Sequence, residues 1–403
     1  MSGERWLGLV GIGEDGIDSL TPAARRLLAQ AALVVGGKRH LALAGPLKAE
    51  TLAWPSSIEN ALDVIEAHRG RSVCVLASGD PFFFGVGAVL TRRFEADEVI
   101  AIPAPSAFAL AASRLGWSEQ DCALLSLHGR PLEAIVPHLH DGARILALSW
   151  DGATPAKLAA LLAARGMGRS KLTVCEAMGG PRERIRTSDA QGFALDNIAA
   201  LNTIALEVAA DRDARVLPRA PGLPDDWFEH DGQITKREIR AITLSQLGPR
   251  RGELMWDVGS GSGSIAIEWM LADPANNAVA IERRRDRAVR IARNALSFGV
   301  PALSTVTGEA PQAFTDLTAP DAIFIGGGAS APGMIEGAYE KLRPGGRLVL
   351  NAVTLETQAA CVGWRGRFGG ELARIAVAHA EPLGRYCGWR SAAPIVQWRL
   401  VKP

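Results

Sequence analysis

Short apolar runs alternate with longer amphipathic stretches along most of the chain. In the first half, the apolar runs predict strands at Trp6–Val10, Leu33–Val35, Val73–Ala77, Val99–Ile102, Ala123–Leu127, Arg144–Leu148, Leu172–Cys175 and Thr203–Val208. Thr21 followed by Pro22 is typical of a helix start, so we expect a helix over Ala23–Ala32. Strands separated by helix-length segments indicate α/β layers.

The second half repeats this alternation more regularly. Its apolar runs predict strands at Glu253–Val258, Ala278–Ile281, Leu303–Val306, Ala322–Ile325 and Arg347–Val353. Its amphipathic segments predict helices at Ser264–Leu271, Asp286–Phe298 and Pro332–Leu342. Towards the end, we expect Leu372–Ala378 and Ile395–Leu400 to pair as an antiparallel hairpin.

The length of the chain, 403 residues, favours two domains. A stretch of different composition, Asp211–Asp226, holds Pro218, Pro221, Gly222 and Pro224 among charged residues and shows little periodicity. Such a stretch is typical of a linker. We therefore predict domains at residues 1–210 and 227–403, joined by residues 211–226.

Composition excludes several classes of function. Basic and acidic residues are balanced at 44 and 43, whereas a protein that grips nucleic acid usually has a basic excess. No apolar run approaches the ~20 residues of a membrane span, and the first residues do not have the pattern of a secretory signal. The five cysteines are scattered, without metal-site spacing. We expect a cytoplasmic protein with no nucleic acid, membrane or metal partner.

The most informative motif is Asp257-Val258-Gly259-Ser260-Gly261-Ser262-Gly263, which follows a predicted strand and opens a predicted helix. Its glycines let backbone N–H groups face a ligand, and the helix start adds partial positive charge. Glu282 ends the next strand, where a carboxylate can accept both hydroxyls of a ribose. Glu309 and Ala310 follow the third strand, where an adenine would lie. Candidate ligand contacts are therefore Gly259–Gly263, Glu282, Glu309 and Ala310.

Spacing alone leaves the ligand open. Gly261, Gly263 and Ala266 also satisfy the dinucleotide pattern GxGxxA. Asp257 and the predicted terminal hairpin favour a methyl donor over a nicotinamide or flavin, and a turn without a ligand is the third alternative. Upstream, Thr235 and Glu238 have the spacing of a capping box, and an ordinary amphipathic helix is the plainer interpretation.

From Pro221 onward the chain resembles a known family, the decarboxylating precorrin methyltransferases that act on C15. The resemblance is carried by PGLPDDWFEHDGQITKREIR, DVGSGSG, GEAP, IGGG and PGGRLVLNAVTLET. It implies a Rossmann-like class I methyltransferase fold with a seven-stranded sheet. It also implies that the contacts to S-adenosyl-L-methionine, the methyl donor, include Thr235, Gly259, Ser260, Gly261, Ser262, Gly263, Glu282 and Ala310.

In the first half, Gly11-Ile12-Gly13-Glu14-Asp15-Gly16 follows the first strand, and Ala77-Ser78-Gly79-Asp80-Pro81 follows another. Asp80 is placed to present a carboxylate at the mouth of a pocket. For the following Phe82, Phe83 and Phe84, core packing is the plainer interpretation.

Together the segments GIGEDGIDSLTPAAR, VVGGKRHL, ASGDPFFFGVG, PAPSAFALAASRLGW, SLHGR and EAMGGPRERI resemble the tetrapyrrole methylase family, in particular its C5-methylating corrin enzymes. That fold has two α/β subdomains. The first turn departs from the usual GxGPGD, because Glu14 and Asp15 stand within it. The resemblance implies a second donor site, with contacts at Gly11, Ser78, Gly79, Asp80, Ser106, Met178, Leu201 and Asn202.

The activity implied is methylation of a precorrin at C5 and C15, with loss of CO₂ from the C12 acetate, in cobalamin biosynthesis. Basic side chains should recognise the carboxylates of this small tetrapyrrole. The candidates are Arg114, His128, Arg130, Lys236, Arg237 and Arg240. Lys236, Glu238 and Asp80 are the candidate catalytic groups. For Arg283, Arg284, Arg285 and Arg287, a solvated helix face is the favoured interpretation.

Two other functions stay open at this point. The second half is compatible with a nicotinamide-dependent oxidoreductase, because of the GxGxxA overlap. The first half, with its altered turn, is compatible with a module that binds the tetrapyrrole without catalysis. The resemblance also implies that the protein forms a homo-oligomer.

Overall fold

A computed structural model describes residues 5–403. The chain divides into two compact units. The first extends to Val216, apart from residues 133–137, and the second comprises those five residues together with Leu217–Pro403. The second unit thus begins inside the predicted linker, because Leu217 and Leu223 are buried, with exposed fractions of 5% and 2%.

The first unit contains two sheets. Within the described residues, the first sheet is wholly parallel, with the strand order β3-β2-β4-β1-β5. Its strands are β1 (Leu7–Ile12), β2 (Leu33–Gly36), β3 (Glu50–Ala53), β4 (Val73–Ser78) and β5 (Val99–Ile102). Every residue of β1 and β2 is buried, as expected for parallel strands covered on both faces.

The second sheet of this unit is mixed, with the order β6-β7-β10-β8-β9 in the part of the chain that the structure describes. Its strands are β6 (Cys122–Ser126), β7 (Arg144–Leu148), β8 (Lys171–Glu176), β9 (Arg184–Asp189) and β10 (Asn202–Glu207). Among the described strands of this sheet, only β6 and β7 pair in parallel. The two sheets confirm the predicted pair of α/β subdomains.

The second unit is built on a seven-stranded sheet, counted over the described residues, with the order β13-β12-β11-β14-β15-β19-β16. Its strands are β11 (Leu254–Val258), β12 (Asn277–Glu282), β13 (Ser304–Thr307), β14 (Ala322–Ile325), β15 (Arg347–Ala352), β16 (Glu371–Ile375) and β19 (Ile395–Val401). All are parallel except β19, which pairs antiparallel with both β15 and β16. The predicted seven-stranded sheet is confirmed.

A separate hairpin, β17 (Ala378–Leu383) and β18 (Tyr386–Ser391), lies between β16 and β19 in the chain. The predicted pairing of the last two apolar runs is therefore antiparallel as expected, but it is not a hairpin, because this insertion separates them. The inserted strands are almost wholly exposed and have no apolar periodicity to reveal them.

Helices cover the sheets. They are α1 (Pro22–Gln30), α2 (Lys38–Leu43), α3 (Ile58–Ala67), α4 (Gly87–Leu90), α5 (Ala107–Leu115), α6 (Thr154–Ala164), α7 (Arg237–Leu247), α8 (Ser264–Ala272), α9 (Arg285–Ser297), α10 (Met334–Lys341) and α11 (Leu355–Phe368). At α1 the Thr21 hydroxyl accepts a hydrogen bond from the N–H of Ala24, as predicted. At α7 the predicted capping box is absent: Lys236 is the N-cap, and it makes no side-chain capping bond.

Candidate functional site

The second unit has a cavity of about 680 Å³ at the carboxyl ends of its parallel strands. Strand order reverses between β11 and β14, and a ligand crevice forms at such a point in an open α/β sheet. The volume lies in the range of small-molecule sites. Of the predicted contacts, the cavity is lined by Thr235, Lys236, Gly259, Ser260, Gly261, Glu282, Glu309 and Ala310.

The glycine turn between β11 and α8 forms the floor of the cavity. Gly259, Gly261 and Gly263 have φ values of 70°, 61° and 78°, in the left-handed region that favours glycine. A Cβ on Gly259 would approach the backbone N of Gly327 to 2.9 Å, so this strand end also requires close packing. Ser262 and Gly263 are not among the lining residues, and the Ser262 side chain is buried below the turn.

Two carboxylates hold this turn. Glu282 is 4% exposed, and its Oε2 accepts a hydrogen bond from the N–H of Gly261 at 3.0 Å. Asp257 lies underneath, and its Oδ2 accepts hydrogen bonds from the Ser260 hydroxyl at 2.8 Å and from the Ala266 N–H at 3.2 Å. Burial raises the pKa of Asp257 to about 6, and the neighbouring charge of Glu282 adds to the effect.

Residues 233–236 form one side of the cavity. Arg287 of α9 holds this segment in place by hydrogen bonds to Asp231 and Gln233. Arg287 donates from Nε to Asp231 Oδ2 and from an Nη to Gln233 Oε1, both at 2.8 Å. The pKa of Asp231 falls to about 2, because hydrogen bonds and charge from Arg287 outweigh its partial burial. Arg283 and Arg287 also line the cavity. The predicted solvated face is therefore wrong for Arg287, whose side chain is 14% exposed and paired with Asp231. Arg283 is exposed at the edge of the cavity, and Arg284 pairs with Asp286 at the exposed surface.

Arg240, predicted to bind substrate, is instead a buried structural residue. Its side chain is fully buried and donates from Nε to Glu268 at 2.6 Å and from an Nη to the carbonyl of Thr235 at 2.5 Å. The remaining Nη bonds the carbonyl of Leu223. With its donors committed to protein acceptors, the guanidinium cannot face the cavity.

Two other predicted residues of this half lie outside the cavity lining. Glu238 is 4.0 Å from the ring of His379, and Arg237 is exposed. The cavity is also lined by residues that had not been assigned to the donor or the substrate: Gly326–Gly328 after β14, Val353 just after β15, and Ala392, Ala393 and Ile395 before and within β19. Asn351, in β15, lines it as well. The IGGG motif had indicated Gly326–Gly328. No motif indicated Ala392, Ala393 or Ile395, which follow the inserted β17–β18 hairpin.

In the first unit, three segments meet at the carboxyl edge of the parallel sheet. A Cβ on Gly11 would lie 1.9 Å from the carbonyl oxygen of Gly79, so β1 requires glycine there. The Gly79 carbonyl in turn accepts a hydrogen bond from the N–H of Ala104 at 3.1 Å. Ser106 caps α5 by accepting from the N–H of Ala109. Gly11, Ser78, Gly79, Asp80 and Ser106 are thus brought together as predicted.

Ser78 belongs to a polar cluster at this edge. Its hydroxyl lies 2.8 Å from Nε2 of His40 and 2.7 Å from an Nη of Arg39. Arg39 also pairs with Glu14, one of the residues that depart from the usual family turn. Burial, with the nearby Arg39 charge, lowers the pKa of His40 to about 4, so this imidazole is neutral near pH 7.

The remaining predicted donor contacts of the first unit lie on its second sheet. A cavity of about 630 Å³ is lined by Ala177 and Leu201 among other residues. Met178 is buried in the hydrophobic core beside Phe108. Asn202 is buried too, and its amide donates to the carbonyl of Ala199 at 2.8 Å. Neither Met178 nor Asn202 lines that cavity.

The residues of the first unit that were predicted to bind substrate differ in whether their side chains are free to bind a ligand. Arg114 forms a bidentate ion pair with Glu183, with Nε–Oε1 and Nη2–Oε2 distances of 2.6 and 3.1 Å, so its guanidinium already has a protein partner. His128 and Arg130 are exposed, and the Arg130 guanidinium lies 5.8 Å from the ring of Phe84. Phe82, Phe83 and Phe84 are 36–47% exposed, so core packing was the wrong interpretation of this run.

Comparison with known proteins identifies both units. The family described as Tetrapyrrole (Corrin/Porphyrin) Methylases matches residues 7–194, and the family described as Precorrin methyltransferase domain matches residues 226–402. A Sinorhizobium protein named precorrin-6Y C(5,15)-methyltransferase [decarboxylating] is 55% identical over 398 residues, which are 98% of this chain and 96% of that protein. The chain belongs to the precorrin-6Y C(5,15)-methyltransferase family.

Shorter proteins also match this precorrin methyltransferase chain. A probable cobalt-precorrin-6B C(15)-methyltransferase (decarboxylating) from Pyrobaculum calidifontis is 34% identical over 43% of this chain and 93% of its own length. A cobalt-precorrin-7 C(5)-methyltransferase from Salmonella typhimurium is 35% identical over 44% of this chain and 88% of its own length. Neither the oxidoreductase nor the non-catalytic module is supported. Within residues 5–403, no helix is long and apolar enough to cross a membrane.

Proposed function

We propose that this enzyme methylates a precorrin at C5 and C15 with S-adenosylmethionine and removes CO₂ from the C12 acetate, in cobalamin biosynthesis. The observation that carries the proposal is the 55% identity, over nearly the whole chain, to a protein named for both methylations and for decarboxylation. The two matched families, one in each half, agree with it.

The two methylations are divided between the halves. Relatives named for a single methylation match less than half of this chain each, as expected if each reaction has its own domain. Residues 1–210 would methylate C5, and residues 227–403 would methylate C15 and decarboxylate, with residues 211–226 between them. Each domain would then bind its own molecule of S-adenosylmethionine.

The second-unit cavity has the features that this donor requires. The backbone at Gly259 and Gly261 is open to close approach by a ligand, and the buried carboxylate of Glu282 lies beside it. Glu282 would accept the ribose hydroxyls, Gly259–Gly261 would lie against the methionine portion, and Glu309–Ala310 would flank the adenine. Thr235 would contact the donor from the opposite side.

In the first unit, the donor would lie at the edge formed by Gly11, Ser78–Asp80 and Ser106. The contacts at Gly11 and Gly79 leave no room for a Cβ, so the backbone itself forms this edge. Leu201 is 43% exposed and available to a ligand. Met178 and Asn202, both buried, would support the site from below.

S-adenosylmethionine supplies an electrophilic methyl group with its own leaving group, so the chain must chiefly align the reactants and exclude water. Lys236, at the cavity wall and 58% exposed at its side chain, would bind a substrate carboxylate. Asp80 would orient the reacting ring in the first unit. Glu238 lies outside the described cavity lining, which argues for a secondary role.

Substrate recognition draws on basic and aromatic groups. In the second unit, the exposed side chains of Lys236 and Arg283 at the cavity would bind the tetrapyrrole carboxylates that the product keeps. In the first unit, exposed Phe82–Phe84 with Arg130 and His128 offer flat rings and positive charge to the macrocycle. The balance of 44 basic and 43 acidic residues favours a small-molecule substrate over nucleic acid, and we expect the enzyme to be cytoplasmic.

A first prediction tests coupling of the two reactions at C15. Methyl transfer to C15 creates a cationic centre in conjugation with the C12 acetate, and that centre can accept the electron pair released by CO₂ loss. We therefore expect the full chain, given precorrin and S-adenosylmethionine, to yield a product with two added methyl groups and one carboxylate fewer. Without the donor, no CO₂ should form. Mass spectrometry of the product checks both, and decarboxylation without donor would contradict the proposed order.

We further propose that the enzyme self-associates through the β17–β18 hairpin. Leu383 and Tyr386 on this hairpin are 70% and 80% exposed, and they lie opposite each other in the pairing of the two strands. A two-stranded hairpin is marginally stable alone, and clustered exposed apolar groups mark interaction surfaces. A second copy of the chain, which presents the same hairpin, is the occupant that we propose.

Self-association gives a second prediction. Leu383→Glu combined with Tyr386→Glu should lower the molar mass in solution, measured by light scattering after size exclusion, because the charges would stay buried and unpaired in the interface. Val289→Glu, at a half-exposed position on α9, is the matched control and should leave the mass unchanged. A wild-type protein of monomeric mass would contradict the proposal directly.

A further inference from the structure

The cavity of the second unit has two chemically different walls. Its charged lining residues are Lys236, Glu282, Arg283, Arg287 and Glu309, contributed by the segment before α7, by the β12–α9 region and by the chain after β13. A second wall, which we call the neutral wall, is contributed by β14, β15, β19 and the chain that follows or precedes them. Among the described lining residues, that wall contains no ionisable side chain.

Asn351 is the only polar side chain that this neutral wall presents among the described lining residues. The other members of the wall are glycines and apolar residues: Phe324, Gly326, Gly327, Gly328, Ala331, Met334, Val353, Ala392, Ala393 and Ile395. A site made mostly of apolar surface with one oriented polar group selects a ligand by the position of a single hydrogen bond.

The amide of Asn351 is fixed from behind by two neighbours. Its Nδ2 donates to the Thr243 hydroxyl at 2.9 Å, and its Oδ1 accepts from Nε2 of Gln397 at 2.9 Å. Gln397 also donates to Thr243 at 3.2 Å, which closes the network. An asparagine has two N–H donors and two acceptor lone pairs. One N–H of Asn351 therefore remains for a ligand, and its direction is set by the network.

A carboxylate that is to be lost needs surroundings unlike those of a carboxylate that is only recognised. As CO₂ leaves, negative charge moves from the carboxylate oxygens into the ring system. A lysine or arginine beside those oxygens would stabilise the ground state more than the transition state and slow the step. Apolar surroundings disfavour the localised charge of the ground state instead. A neutral donor can still fix the direction of the breaking bond.

We propose that the neutral wall is the subsite for the acetate that is decarboxylated, and that Asn351 orients this carboxylate. The inference rests on the proposed function and names the part of the same cavity in which CO₂ is lost. The charged wall would hold the donor and the carboxylates that the product retains. Asn351 acts by positioning, and it neither gives nor takes a proton in this step.

The step balances without a further reactant. The bond between the acetate methylene and its carboxylate carbon breaks, and CO₂ leaves. The electron pair of that bond passes to the cationic conjugated system created by methylation at C15, which becomes neutral. The exocyclic methylene that results gains a proton from water to become the methyl group, while a proton is lost from the ring system.

Three single substitutions test the subsite in the full chain. Asn351→Ala removes the orienting donor. Val353→Lys adds a cation to the neutral wall at a side chain that is 55% exposed, so folding should tolerate it. Leu355→Lys adds the same charge nearby at a residue that is 78% exposed and outside the described cavity lining, and it serves as the control. The measurement is the ratio of decarboxylated to undecarboxylated C15-methylated product in a single turnover, by mass spectrometry.

We expect this ratio to fall on the order of tenfold in Asn351→Ala and in Val353→Lys, the effect of one lost or one opposing polar interaction. Leu355→Lys should keep the wild-type ratio, and all three should bind S-adenosylhomocysteine as the wild type does. A wild-type ratio in both Asn351→Ala and Val353→Lys would overturn the subsite, as would an equal fall in Leu355→Lys. If the wild-type chain itself forms no decarboxylated product, the proposed function fails rather than the assignment of the wall.

Discussion

Replacing Glu282 with alanine should remove one of two S-adenosylhomocysteine sites per chain and leave the other unchanged. Glu282 is buried at the end of β12, lines the cavity, and already accepts hydrogen bonds from the N–H groups of Gly261 and Arg284. The variant would lose both the acceptor for the ribose hydroxyls and the group that shapes the turn. Since hydrogen bonds to a charged group are worth ~1.5–3 kcal/mol each, we expect affinity at this site to fall at least about 100-fold.

Isothermal titration calorimetry of the full chain is the measurement. Glu282→Gln is the matched variant, because it keeps the shape and one acceptor but removes the charge, and it should fall between wild type and alanine. Asp80→Ala should silence the other site, in the first unit. One site in the wild-type chain, lost only in Glu282→Ala, would contradict the proposed donor site of the first unit and leave that of the second standing.

The second large effect is on stability. Arg240→Ala should destabilise the second unit by about 3–5 kcal/mol, because it leaves the carboxylate of Glu268 buried without its partner. Glu268 also accepts hydrogen bonds from the N–H groups of Gly222 and Leu223, at 2.6 and 3.0 Å. The pair therefore ties the chain before α7 to α8, and it holds the carbonyl of Thr235 beside the cavity.

Native-state hydrogen exchange of peptides from β11 and α8 would measure this loss in the second unit alone. Glu268→Gln is the control, because a neutral glutamine still accepts from the two N–H groups, and its cost should be smaller. The double variant, Arg240→Ala with Glu268→Gln, should cost less than the sum of the single costs. Strict additivity would show that the two side chains are not energetically coupled.

The sequence was most informative where each element was buried on both faces. The apolar runs at β1, β4, β11 and β14 predicted the parallel sheets, because a strand covered on both faces is mostly apolar. Some strands with many exposed positions were missed, namely β3, β9, β17 and β18. In β9, the alternating Arg184, Arg186 and Ser188 lie among exposed or half-buried positions, so no apolar run marks this edge strand.

The part of the site that lies directly after the parallel strands was predictable from the sequence. Glycine turns and an acidic strand end identified Gly259–Gly261 and Glu282, which the structure places at one cavity. The roles of the arginines were not predictable, because an arginine side chain can lie in solvent, form an ion pair or bind a ligand. Arg240 is buried against Glu268 and Arg287 holds Asp231 at the cavity, and only tertiary packing distinguishes them.

The position of β19 has a consequence for the order in which the molecule is made. This strand is later in the chain than any other described strand, yet it lies inside the sheet, between β15 and β16. During synthesis, β15 therefore has an open edge until residues 395–401 have left the ribosome. Open edges of this kind favour pairing with other chains. The second half should thus depend on chaperones during translation more than the first half. In the first half, the late central strand β10 is synthesised well before the chain is finished, so its sheet can close early.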